Sequence, residues 1–528
     1  MVIAVIWQLS AQDLVRGPYM QNLTQTSVKV MWRTSAPTQG WVKVGSSPDN
    51  LTLTFTGSAD ATNHIVDITG LNPYQQYFYS IGYGDITLSG GDVQHTFRTA
   101  KIAGDTSGIR AWVIGDFGKG NQAQDDVMTS FVNYNPSNPV DFGIMLGDNV
   151  YNDGTDDEYQ RKLFTFSKHP EIFKYLNFYS TPGNHDYNMV NRLDDPRNHR
   201  GPYYEIFKSL SLGEAGGVPS NSHLYYSFDY GHVHFISLNS ELIQWTGINN
   251  SPMEQWLRQD LEANRQPWTV VFFHQPPYAS GSHISDDIWQ LFMKNMRERF
   301  NPIFDKYSVD LVINGHSHMY ERSMLIHGHY GRSPQFKPEV NLIQGGTGNP
   351  DTDGPYVKTP GGKGTVYAVV GNSGSSEGDY PVKGHPVFVA RDGGSSVCGS
   401  LILEVKGSML TGSYLSSTGE IKDKFAIFKQ IAQSTPIKEN FAERISLKAF
   451  PNPASEQLQV SFIADRSLRG SILVNDLSGR QVLSQTIQVN PGAFVVSIDN
   501  WKDLPLGNYL VNVELDGNPA VVSVVKAR

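Results

Sequence analysis

The chain has 528 residues, 39% hydrophobic and 18% charged, with a formal net charge of −9, 50 glycines and 29 prolines. That length calls for more than one domain, and the glycine and proline content favours turns and strands over helical bundles. The missing basic surplus argues against a nucleic-acid partner, and no apolar run reaches the roughly 18 residues of a membrane span. The single cysteine, Cys398, cannot close an intrachain disulfide and reads as a small buried apolar residue.

Val2 to Leu9 is a short apolar stretch followed by Ser10-Ala11-Gln12. It reads as the end of a secretory signal with cleavage after Ala11, its start truncated or misplaced, although a basic leading region is missing. Residues 13–100 alternate apolar and polar in short runs, such as Val28-Lys29-Val30-Met31-Trp32 and Gln76-Tyr77-Phe78-Tyr79-Ser80-Ile81, separated by turn residues. Short strands at this spacing predict a β-sandwich. Residues 101–108 are polar and read as a linker. Strands then alternate with helical patterns over residues 109–430. Ser251-Pro252-Met253-Glu254 predicts a helix start, with a Ser cap, Pro in the first turn and an acid three residues after the Ser. A second helix is predicted over 288–307, with Pro302 as a candidate break. Gly201 to His223 is the least regular stretch. Residues 431–443 read as another linker, and 444–528 return to alternating strands, with Ser478-Gly479-Arg480 as a turn.

Within the central region five apolar runs each end in metal-ligand residues. They lead into Asp116, into Asp148 and Tyr151, into Asn184, into His274, and into His316-Ser317-His318. Short β-branched or aromatic runs predict buried strands, and ligands gather beyond the carboxyl ends of strands in open α/β sheets. Oxygen and nitrogen donors without thiolate disfavour soft-metal and iron–sulfur sites. The His-x-His spacing can send two imidazoles to two neighbouring ions, and Asp148 can bridge them. Two ions about 3.5–4 Å apart suit phosphoryl transfer. Taken singly, Asp148-Asn149 reads as a turn and Asn184-His185-Asp186 as a capped loop; five clusters in order do not. Gly115, Gly147, Gly183 and Gly315 each precede a ligand and permit close backbone approach. His232 and His234 lie inside an alternating run and read as structural. The pairs Asp156-Asp157, Asp194-Asp195 and Asp286-Asp287 read as solvated loop or cap charges. Asp186 and Asp310 are the candidates for orienting a ligand imidazole.

The motifs Gly115-Asp116-Phe117-Gly118, Gly147-Asp148-Asn149-Val150-Tyr151, Gly183-Asn184-His185-Asp186, Val271-Phe272-Phe273-His274 and Gly315-His316-Ser317-His318 resemble those of the purple acid phosphatases, within the calcineurin-like metallophosphoesterases. Residues 13–100 resemble a fibronectin type III module of the kind that precedes this domain. The resemblance implies a multidomain chain: an N-terminal β-sandwich (13–100), a central α/β domain of two mixed sheets flanked by helices (106–430), and a C-terminal β-sandwich (444–528). It implies a first ion held by Asp116, Tyr151 and His318, a second held by Asn184, His274 and His316, and a bridging Asp148. A Tyr151 phenolate favours Fe(III) in the first position, with Zn, Fe or Mn as the divalent second ion. Metal-bound hydroxide would attack phosphorus. His185 would face the phosphate or the attacking oxygen, and His283, nine residues after His274, would assist the leaving alcohol. Plant-type members carry a second histidine after that one; here it is Ile284.

Phe450-Pro451-Asn452-Pro453-Ala454, Asp476-Leu477-Ser478-Gly479-Arg480 and Leu506-Gly507-Asn508-Tyr509 resemble the C-terminal sorting domain of type IX secretion. That resemblance implies engagement of the secretion machinery and release outside the cell or attachment to its surface. The expected activity is hydrolysis of phosphate monoesters. Phosphodiester or nucleotide cleavage by the same metals is the nearest alternative, and a surface binding protein with an inactive core the more distant one.

Overall fold

The computed structural model describes residues 12–527 except 193, 243–246, 360, 376–383, 393–396, 432–444, 465, 477–479 and 516–517. The N-terminal apolar stretch, nearly all of the 431–443 linker and most of the Ser478-Gly479-Arg480 turn lie outside the described residues. The chain divides into two compact units, Met1–Ala432 and Gln433–Arg528. Among the described residues no helix is long and apolar enough to cross a membrane.

The first unit opens with two small antiparallel sheets. One joins Leu14–Gln21, Val28–Thr38 and Ala61–Ile68; the other is built on Gly40–Gly45 and Gln76–Tyr83. Alternation in the sequence becomes alternation in burial, with Val28, Val30 and Trp32 in the core beside Val42, Val44, Tyr79 and Ile81. The segment expected to be a linker is packed down instead. Lys101 is buried, its ammonium bonded to Ser107 Oγ at 2.7 Å, and Gly104 N donates to the Gly231 carbonyl at 2.7 Å. Asp156 also departs from expectation. It is no free cap charge but takes Arg16 at 3.1 Å and a second guanidinium, that of Arg33, from the sandwich strands.

Two seven-stranded mixed sheets follow. In the first, Phe178–Ser180, Phe142–Met145 and Ile109–Ile114 run parallel, and the antiparallel strands Gly399–Lys406, Met409–Ser416 and Ile421–Lys429 extend the sheet beyond them. In the second, Val233–Ser237, Trp268–Phe272, Leu311–Asn314 and Val366–Val370 are parallel neighbours. These strands are apolar on both faces because both are covered. Ala111 and Val113 join Phe235, Val270 and Ile313 in the core between the sheets. Trp112 and Ile114 point the other way, where Trp112 stacks on Phe131 of the helix Gln122–Tyr134 with ring centroids 3.9 Å apart.

The helix Pro252–Ala263 begins as expected, with a reciprocal Ser251–Glu254 capping box. The second predicted helix starts at Leu291, not 288, and continues through Pro302 to Lys306. It is not broken. The proline lacks an N–H to donate, and the chain absorbs that with a wide π-helical turn over Met296–Phe300.

The second unit is a small β-sandwich. A three-stranded sheet (Lys448–Phe450, Gln459–Ala464, Gly492–Ser497) faces a four-stranded one that includes Leu468–Asp476 and Gly507–Leu515. Val460, Phe462, Val474, Val511 and Trp501 fill the space between them.

Candidate metal centre

Every ligand candidate sits just past the carboxyl end of a parallel strand. Asp116 follows Ile109–Ile114, Asp148 follows Phe142–Met145, Asn184 follows Phe178–Ser180, His274 follows Trp268–Phe272, and His316 and His318 follow Leu311–Asn314. Asp116, Asp148 and His316 have φ of 54°, 48° and 70°. A left-handed conformation is costly for residues with a Cβ and persists where surrounding packing enforces it. At Gly183 an added Cβ would stand 2.2 Å from Asp148 N, so only glycine lets these two loops touch.

The seven expected ligand side chains converge. Tyr151 Oη donates to Asp116 Oδ1 at 2.8 Å and lies 3.2 Å from His318 Nε2, which is 3.4 Å from Asp116 Oδ1. On the other side His274 Nε2 lies 3.1 Å from Asn184 Oδ1 and 3.2 Å from His316 Nδ1. Asp148 Oδ2 approaches His274 Nε2 at 3.4 Å. Ligand atoms of Asp148, His274 and His316 all fall within 4.8 Å of one another.

These residues fit a cation by their chemistry. His274 Nδ1 donates to the Leu146 carbonyl at 2.9 Å, which aims Nε2 at the oxygens of Asn184 and Asp148. A proton on that Nε2 satisfies both oxygens, and a cation would take the proton's place. Burial opposes charge on His274, yet the Asp148 carboxylate raises it to about 10. Burial, with His283 and His274 nearby, holds His316 well below its usual value and keeps its ring neutral, and its Nε2 is buried without a hydrogen-bond partner. Burial and the carboxylates of Asp116 and Asp148 push the Tyr151 hydroxyl well above its ordinary range, which a neighbouring cation would reverse.

His185 and His283 flank this cluster. His185 Nδ1 donates to the Asn152 carbonyl at 2.6 Å, and Nε2 lies 3.9 Å from Asp148 Oδ2. His283 stacks on His316 with centroids 4.0 Å apart, and the Gln290 amide donates to its Nδ1 at 3.2 Å. Its loop is docked on the His-x-His turn, where His318 N donates to Ser282 Oγ at 2.8 Å.

The supporting residues differ from expectation. Asp186 orients no imidazole; it accepts from the backbone of Asn149 and Gly183 and ties the two loops together. Asp310 lies at the opposite end of its strand, buried between Lys358 and Lys429. The imidazole of His274 is instead oriented by a main-chain carbonyl, which no sequence pattern reports. His234 is structural, held between Asp229 and Asp260 at 2.7 and 2.8 Å. No sequence pattern marks two cations that lie near the centre. Arg192 donates to the Asn184 carbonyl at 2.9 Å beside buried Glu241, and Lys119 lies over the Tyr151 ring.

Residues 109–320 match the calcineurin-like phosphoesterase family, 19–99 the purple acid phosphatase N-terminal domain, and 448–527 the secretion system C-terminal sorting domain. An uncharacterized protein of Mycobacterium tuberculosis is 26% identical over 250 residues, 45% of this chain and 42% of the relative. Purple acid phosphatase 15 of Arabidopsis thaliana is 26% identical over 291 residues, 50% of each chain. The chain thus spans about half the length of these curated relatives or slightly less. A purple acid phosphatase from yellow lupin (Lupinus luteus) seeds shares the fold, with a TM-score of 0.60 over 78% of this chain and 74% of that one, at 18% identity. The C-terminal sorting domain marks the chain for export to the cell surface or the medium. The chain carries a calcineurin-like phosphoesterase domain over residues 109–320, preceded by a purple acid phosphatase N-terminal domain and followed by a secretion system C-terminal sorting domain.

Proposed function

We propose that this chain is an exported phosphatase that hydrolyses phosphate monoesters at a dinuclear metal centre. The observation that carries this is the approach of His274 Nε2 to Asn184 Oδ1 and Asp148 Oδ2 on one side and of Tyr151 Oη to Asp116 and His318 on the other. Asp116, Tyr151 and His318 would hold the first ion, Asn184, His274 and His316 the second, and Asp148 would serve both. Phenolate is a hard donor, which favours Fe(III) in the first position, with Zn, Fe or Mn in the second. Bound there, the ions would supply an activated water and draw charge from the phosphoryl oxygens.

The protein's own groups do the rest. His185 donates a hydrogen bond from Nδ1 to the Asn152 carbonyl, so Nε2 faces the centre and takes or shares a proton there. The Gln290 amide occupies Nδ1 of His283, which keeps a proton on Nε2. That proton goes to the departing alcohol, a contribution of roughly 10²–10⁴-fold. The type IX secretion machinery is the partner that exports the chain.

Steady-state kinetics on a monoester and a diester of the same alcohol test the reading in metal-loaded, full-length protein. A kcat/KM at least tenfold greater for the monoester is expected. Faster diester cleavage would replace it with a phosphodiesterase, and full metal content without turnover of either ester would leave a binding protein.

A further inference from the structure

Lys119 stands three residues beyond Asp116, in the loop Phe117-Gly118-Lys119-Gly120. Its ammonium lies 3.7 Å from the centroid of the Tyr151 ring. Two features fix it there. Tyr151 N donates to the Gly118 carbonyl at 3.0 Å, and an added Cβ on Gly118 would stand 2.0 Å from the Asn149 carbonyl oxygen. The two loops therefore meet backbone to backbone, and the next side chain is delivered onto the ring. Among the described residues Lys119 forms no ion pair, and Tyr151 is only 1% exposed. A cation over an aromatic face is attracted by the ring's negative π-surface, more strongly where water is excluded.

We infer that Lys119 is a positioning residue for the first ion: its charge over the Tyr151 ring weakens the phenolate as a donor and leaves that ion the stronger Lewis acid. The inference rests on the proposal that Tyr151 is a phenolate ligand of Fe(III). It follows from simple electrostatics. A positive charge 3.7 Å from the ring centre lowers the filled ring orbitals more than it lowers the acceptor orbitals of an ion on the far side of the oxygen. A ligand-to-metal charge-transfer band takes its electron from those ring orbitals, so Lys119 holds the band at higher energy.

The test is the visible spectrum of the full-length chain loaded with iron, compared among wild type, K119M and K119R at matched iron content. Methionine keeps the length and loses the charge; arginine keeps a cation that can lie on the ring. The expected result is a band shifted to longer wavelength in K119M and near the wild-type position in K119R. Loss of iron from K119M with retention in K119R would overturn the inference, since a charge that weakens the donor cannot be what holds the ion. A band present in wild type and unmoved in K119M overturns the role of Lys119 alone. Wild-type protein that binds iron without such a band overturns the phenolate reading, and this inference with it.

Discussion

Oδ2 of Asp148 lies 3.4 Å from Nε2 of His274, although the two residues leave different sheets. The pair joins the two halves of the centre, and Asp148 Oδ1 is already used, accepting from His185 N at 2.8 Å. Asp148→Asn keeps the size and that hydrogen bond but removes the charge between the ions. Loss of a residue that merely supports a ligand costs about 10–100-fold in metal affinity, so the variant should lose at least that much, and activity with it. Titration of the apo-protein with zinc, read by calorimetry, checks this. Wild-type affinity would remove Asp148 from the bridging role.

His283→Ala separates proton delivery from metal binding. The ring stacks on His316 without being a proposed ligand, so metal content should stay at the wild-type level. Turnover of an alkyl phosphate should fall about 10²–10⁴-fold. An aryl phosphate whose leaving group needs no proton should lose much less. Equal losses on both esters would mean that His283 positions the phosphate instead.

The parallel strands and the seven side chains that converge beyond them are legible because apolar runs and the glycines before polar residues are local patterns. Lys119 is not, because its partner Tyr151 lies on another loop and a lone lysine after Gly118 looks like any surface charge. Asp310 misled for the converse reason. A carboxylate two residues before Val312 looks close to the His-x-His turn, yet it sits at the other end of the strand, where Lys358 and Lys429 neutralise it. The strands Gly399–Lys406 and Met409–Ser416 complete the first sheet from nearly 300 residues away, and no local pattern specifies such pairing.

His234 makes folding stability depend on pH away from the metal centre. Burial opposes its charge, but Asp229 and Asp260 raise it to about 9 from an ordinary 6.5. A raised value means that the folded state holds the proton more tightly. The contribution is therefore complete below about pH 6.5, and it is lost as pH rises through about 9, on the order of 3 kcal/mol in all. Denaturant unfolding between pH 6 and 10 should show the midpoint falling across that window. In His234→Gln this fall should largely disappear, with lower stability at pH 6. A wild-type curve flat from pH 6 to 10 would show that the two carboxylates do not hold a charged ring.

Gly183→Ala tests whether loop contact builds the centre. The new methyl would lie 2.2 Å from Asp148 N and 2.3 Å from its Oδ1, far inside any tolerated contact. One of the two loops must retreat, which parts Asn184 from His274 and moves the bridging carboxylate. Overpacking of this kind costs about 1–3 kcal/mol, and metal affinity should fall with it. Gly17→Ala, where an added Cβ meets nothing within 4 Å, is the matched control and should change neither. Thermal melting with and without added zinc separates the two effects. A stabilising metal raises the melting temperature with the logarithm of its affinity, so Gly183→Ala should melt lower and also gain less from zinc. An equal gain from zinc in both variants would mean that the ions bind without this contact.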